Sequence, residues 1–107
     1  MRTHDQQLLD ALTECTRACH HCSVSCLREE DVTMMAECIR LDMDCAQICE
    51  LTAAFLSRES DHTRHLLKEC AEICQKCAEE CAKHAHLDHC KECAEACRKC
   101  ANLCGSY

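Results

Sequence analysis

CAEICQKCAEEC, residues 70–81, places Cys70, Cys74, Cys77 and Cys81 at steps of four, three and four. Residues so spaced fall on one face of an α-helix and on both faces of a strand. Glu72, Gln75, Lys76 and Glu79 lie between them and supply a solvent face. The series extends back to Leu67 and onward to His84. The next segment repeats it as His86, Cys90, Cys93, Cys97, Cys100 and Cys104. Upstream, the first segment carries Leu8, Leu12, Cys15, Cys19, Cys22 and Cys26 at the same steps. The second is sparser, with Met35, Cys38, Asp42, Cys45, Cys49, Thr52 and Leu56. Such stripes are the inward seams of helices in a bundle, with cysteine standing where leucine and isoleucine usually stand.

Four helices are therefore expected, at about 3–27, 32–56, 62–83 and 88–104. Polar breaks separate them, at Arg28-Glu29-Glu30-Asp31 and at Ser57-Arg58-Glu59-Ser60-Asp61. His84-Ala85-His86-Leu87 forms the last link. Asp88 is expected as the N-cap of the fourth helix and Gly105 as the residue that ends it in the left-handed region. Glu72–Lys76, Glu79–Lys83 and Glu95–Lys99 are (i, i+4) pairs in the favourable order. Short links make neighbouring helices antiparallel. The fold expected is all-α, an up-down-up-down four-helix bundle forming one domain over residues 1–107.

Composition narrows what the bundle can do. There are 16 cysteines in 107 residues, one glycine, no proline, and only Phe55 and Tyr107 as aromatics. So few large apolar side chains cannot hold a conventional core, and disulfides, metal or oligomer contacts must supply the rest. A net charge of −7 argues against nucleic acid. No apolar run is long enough for a membrane span. The opening residues carry neither an apolar signal region nor a twin arginine, so a cytoplasmic location with reduced thiols is expected.

Reduced thiols at helical spacing point to a soft metal. Side chains at i and i+3 or i+4 have Cβ atoms about 5–6 Å apart, whereas a disulfide needs about 3.5–4.5 Å. A linear sulfur–metal–sulfur unit spans about 4.5 Å and fits the helical pair. Cu(I) accepts two or three thiolates. About one Cu(I) per thiolate also leaves the core near neutral. Tetrathiolate zinc keeps a charge of about −2 per site, which disfavours stacking. Zinc binding or buffering is nonetheless the competing metal reading. A redox-cluster electron-transfer protein and a disulfide-clamped interaction protein are further alternatives. No nucleophile–base–orienter set stands out, so no enzyme is expected.

CTRACHHCSVSC (15–26), LDMDCAQIC (41–49), CAEICQKCAEEC and HCKECAEACRKCANLC (89–104) together resemble the bacterial four-helix-bundle copper storage proteins. The resemblance covers essentially the whole chain and is closest to the branch without an export signal. It implies a store of multiple Cu(I) ions and a homo-oligomer, typically a tetramer. A copper chaperone or exporter is the expected exchange partner. On this reading all 16 cysteines are ligands: Cys15, Cys19, Cys22, Cys26, Cys38, Cys45, Cys49, Cys70, Cys74, Cys77, Cys81, Cys90, Cys93, Cys97, Cys100 and Cys104.

Antiparallel packing assigns the two ends. One collects Cys26, Met34, Met35, Cys38, Cys81, His84, His86, His89 and Cys90. There His86 and His89, then His84 and Met35, are the candidate ligands of a mouth. The other end collects Leu8, Leu9, Leu12, Phe55, Leu56, Leu66, Leu67 and Cys104 and reads as an apolar plug. His20 and His21 read as surface residues, His62 and His65 at the plug end as surface or interface residues, and His4 as disordered. Asp42 on the seam either accepts hydrogen bonds from thiols or turns out to solvent. Val24, Leu27, Val32, Ile39, Leu41, Ile48 and Leu51 exceed what a cysteine core requires and are candidates for contact with another chain.

Overall fold

The structure is a computed structural model describing residues 3–107, with side chains from Asp5 onward. His4 therefore has its side chain outside the described residues. Four helices form, α1 (Thr3–Leu27), α2 (Ala36–Ser57), α3 (Thr63–Ala82) and α4 (Asp88–Gly105). Each packs against its chain neighbour, and α1 packs against α4, which closes the bundle. The molecule measures 44 × 18 × 17 Å. The seams face inward as expected, and Cys, Leu8, Leu12, Met35, Leu56 and Leu67 are all buried. Alanines 11, 18, 46, 78, 94 and 101 are buried beside them and let the helices approach closely.

The helix ends differ from expectation in three places. A 3₁₀ turn at Thr33–Met35 precedes α2, and Asp31 Oδ1 accepts the Met34 N–H at 3.2 Å. Leu87, in extended conformation, is the boundary residue of α4, and Asp88 already lies in the first turn. Asp88 thus acts on the helix dipole by charge and is no N-cap. Gly105 is the last helical residue and has no positive φ; the helix runs out through Ser106. Among the described residues the one in the left-handed region is Glu59, at φ 55°. It follows α2, where the Ser60 N–H reaches back to the Phe55 carbonyl at 3.0 Å. Glycine is the residue this geometry favours, so Glu59 holds local strain. Thr63 locks the same turn by donating from Oγ1 to the Ser60 carbonyl at 2.7 Å.

On the surface, Lys83 pairs with Glu80 at 3.2 Å and not with Glu79. Arg17–Glu14 and Arg40–Glu37 are (i, i+3) pairs. Such exposed pairs contribute about 0–1 kcal/mol each. Ile39, Leu41 and Ile48, expected on an outer face, pack partly against this chain's own core. Val24, Leu27, Val32 and Leu51 remain exposed.

Candidate metal centre

All 16 cysteines are unbonded and buried. They come from all four helices, and their sulfurs form one continuous file along the bundle axis. Near the Leu8 end, Cys100 and Cys104 Sγ are 3.9 Å apart, and Cys49 lies 3.7 Å from both Cys70 and Cys74. Next come Cys45–Cys74 at 3.5 Å, Cys15–Cys97 at 3.6 Å and Cys19–Cys97 at 3.5 Å. Cys19–Cys93 at 3.7 Å and Cys77–Cys81 at 4.0 Å continue the file. Cys38–Cys81 at 3.5 Å and Cys22–Cys26 at 3.8 Å lead to Cys90, 3.8 Å from Cys22.

Those spacings carry chemical information. A disulfide bond is about 2.05 Å long. With metal–sulfur bonds of about 2.25 Å, trigonal coordination sets sulfurs about 3.9 Å apart and linear coordination about 4.5 Å. The nearest pairs sit at or inside the trigonal value, and the wider members of the four-ligand groups reach to within 4.8 Å, which spans the linear value. Four-ligand groups recur along the file and share members. Cys15, Cys19, Cys45 and Cys97 form one, while Cys19 and Cys97 also belong to another with Cys77 and Cys93. A sulfur that belongs to two such groups is placed within reach of two ions, an overlap that isolated tetrahedral sites do not need.

Protonation follows from the crowding. Burial pushes the Cys26 thiol up to about 12 and raises Cys90 as well. Deeper in, hydrogen-bonded thiols split: Cys15 is lowered by bonds from Cys100 and Cys19, and Cys19 is raised by its bond to Cys15. Many closely packed sulfurs cannot all carry charge at once. A metal ion must therefore displace protons as it binds, and uptake weakens as pH falls.

Asp42 is fully buried, so it does not turn outward. Its Oδ1 accepts from Cys77 at 3.2 Å, Cys93 at 3.3 Å and Cys81 at 3.5 Å; Oδ2 faces Cys38 at 3.8 Å. Burial raises its pKa far above the usual carboxylate range, and the neighbouring Cys93 and Cys77 sulfurs add to the shift. Thr52, the other polar seam residue, is satisfied by donating to the Ile48 carbonyl at 2.6 Å.

At the mouth the four candidates part company. His89 Nδ1 lies 3.5 Å from Cys22 and Cys90 and 3.9 Å from Cys26. Its Nε2 lies 2.9 Å from Glu29 Oε2. Burial pulls its pKa down, but the hydrogen bonds to Cys22 and Glu29 outweigh this and leave it raised. Met35 is buried, and His84 is buried with Nε2 3.2 Å from Glu80. His86 is exposed. Met34, Met35, His84 and His86 line a cleft of about 120 Å³ with Glu29, Glu30 and Asp31. The fourth helical seam does not run through His86, because α4 begins only at Asp88. Glu29 stood in the sequence as part of a polar break. Its contact with His89 joins residues 60 positions apart, which no local pattern signals. His20, His21, His62 and His65 are exposed, as expected, and His20 meets Glu50 at 2.7 Å.

The comparisons with known proteins agree with this interior. A Bacillus subtilis (strain 168) protein described as an uncharacterized cysteine-rich protein, YhjQ, is 40% identical over 91 residues, which cover 85% of this chain and 83% of that one. A cytosolic copper storage protein from Streptomyces lividans, solved with five coppers, superposes with TM-score 0.93 at 42% identity, covering 96% of this chain and 90% of its own. The Cu(I)-bound copper storage protein BsCsp3 superposes with TM-score 0.92 at 38% identity, covering 97% of each chain. The family described as copper storage protein matches residues 1–107. Since that match spans every helix that contributes a sulfur, this chain belongs to the copper storage protein family.

Proposed function

We propose that the chain stores Cu(I) in the cytosol as a polynuclear thiolate cluster running through the bundle, with all 16 cysteines as ligands. The observation that carries this is the file of sulfurs in which pairs at 3.5–4.0 Å are joined by four-ligand groups lying within 4.8 Å, so that members serve more than one group. Bridging sulfurs each bind two metals. Two-coordinate Cu(I) then gives about one ion per sulfur, roughly 16 per chain, and three-coordinate Cu(I) gives roughly 11. The nearest sulfur pairs suit the three-coordinate form, and the wider spacings within the same groups suit the two-coordinate one. Zinc uses four thiolates per ion and would leave about −2 at every level of a narrow core.

The His-rich end is the mouth on this reading. Cu(I) meets Met35, His84 and His86 in the cleft, then His89, and passes by ligand exchange to thiolates. A thiol-bearing copper carrier suits such exchange. A homo-oligomer fits the exposed Val24, Leu27, Val32 and Leu51, and sedimentation velocity of the full chain would read its mass.

An anaerobic titration of the reduced protein with Cu(I), against a coloured chelator and with zinc in parallel, tests the assignment. Uptake of more than ten Cu(I) ahead of the chelator is expected, and the end point reads the coordination number. Uptake of one or two Cu(I), with about four zinc ions held tightly, would refute it. Met35→Leu is expected to slow the uptake and leave the end point unchanged.

A further inference from the structure

We propose that Glu29 is the positioning residue for His89, holding the imidazole so that Nδ1 presents its lone pair to the metal bound by Cys22, Cys26 and Cys90. The inference rests on the copper-storage reading for its metal, and on geometry alone for its orientation. His89 Nε2 and Glu29 Oε2 are 2.9 Å apart. An ionised carboxylate has no hydrogen to give, so Nε2–H is the donor. In the neutral ring Nδ1 is then left unprotonated. That nitrogen lies 3.5 Å from Cys22 and Cys90 and 3.9 Å from Cys26, the span of one metal site.

The pair is built to stay in place. His89 is 12% exposed at the side chain and Glu29 33%. The Glu29 N–H donates to the Cys26 carbonyl at 3.2 Å. The turn that carries the ligand Cys26 therefore also carries the carboxylate that aims His89. A ring flip would put Cδ2 against the sulfurs and Cε1 against Glu29 and so break both sets of contacts at once. His84 and Glu80 form a superficially similar pair, but both lie four positions apart at the end of α3, where the pair spans no separate element. Glu29 reaches His89 from the link between α1 and α2 and so ties that link to the first turn of α4. Carboxylate–histidine–metal arrangements of this kind change metal affinity by about 10–100-fold when the carboxylate is removed.

The test uses the full reduced chain at pH 8.5, with ¹⁵N-labelled histidine. In the metal-free protein, His89 should show a protonated Nε2 and an unprotonated Nδ1. In Glu29→Ala the two nitrogens should average towards a tautomer mixture, and in Glu29→Gln, whose amide oxygen accepts the same bond, they should not. When Cu(I) is withdrawn with a chelator, the His89 signal should revert at about 10-fold lower chelator in Glu29→Ala than in the parent. An unchanged Glu29→Ala tautomer with unchanged reversal would overturn the proposal. Failure of the parent to bind Cu(I) would instead overturn the storage reading, and the metal-free tautomer measurement would still decide the role of Glu29.

Discussion

Asp42→Asn is expected to stabilise the metal-free protein at pH 7 by about 3 kcal/mol, raising its melting temperature by about 10 °C. Burial holds the Asp42 carboxyl protonated in the folded chain, whereas the unfolded chain titrates near the ordinary value of 3.8. Folding at pH 7 must therefore take up a proton across roughly three pH units, a cost of about 4 kcal/mol. Asparagine needs no proton, and its unpaired amide hydrogens offset about 1 kcal/mol of the gain. The sign fixes the pH window. A raised pKa contributes stability that is complete below pH 3.8 and is lost as pH rises towards the folded value. The variant should be about 1 kcal/mol less stable than the parent near pH 3, level with it near about pH 4.5, and increasingly the more stable from there to pH 7. Thermal melts across that range read it directly. Destabilisation by Asn at pH 7 would mean that the four surrounding thiols hold Asp42 as a carboxylate. Bound Cu(I) favours the ionised form, so the advantage of Asn should shrink on loading.

Cys97→Ala should remove more copper than any end residue does. Its sulfur meets Cys19 at 3.5 Å, Cys15 at 3.6 Å, and Cys45 and Cys93 at 3.8 Å. Cys104 lies at the last step of the file, 3.9 Å from Cys100. If sulfurs bridge, removing Cys97 deprives at least two ions of a ligand, and the end point should fall by about two. Cys104→Ala should lose no more than about one. The alanine leaves a small void that costs the metal-free fold about 1 kcal/mol, so both variants fold. Equal losses in the chelator titration would mean that Cys97 bridges no more ions than Cys104 does.

The bundle was legible because the 3–4 spacing of cysteines marks a helical face as clearly as leucine would. Helix limits came within a few residues. The exceptions have local causes. Thr33, Met34 and Met35 carry no side-chain signature of a 3₁₀ turn. Glu59 is left-handed because the α2–α3 turn imposes it, while Ser60 and Asp61 beside it are the residues composition would favour. The burial of all 16 cysteines was equally legible. His89 was placed at the mouth, but the seam was continued through His86. That reading projected helical periodicity upstream of the first residue of α4. Side chains lean toward the helix N-terminus, so a first-turn residue such as His89 can reach back past the end to sulfurs on α1. Glu29 stayed hidden because long-range contacts leave no local pattern, and the fate of Asp42 needed the packing of all four helices.

The short links between successive helices bear on how a newly made chain survives its own thiols. Contacts in an up-down bundle are mostly local, and such topologies fold in roughly microseconds to milliseconds. Disulfide formation and reshuffling take seconds to hours. Sixteen thiols in an extended chain allow an enormous number of wrong pairings. Collapse wins that race by about three orders of magnitude or more, and every sulfur is shielded once it is complete. The topology thus shields the thiols within moments of the chain's completion, before any metal has arrived.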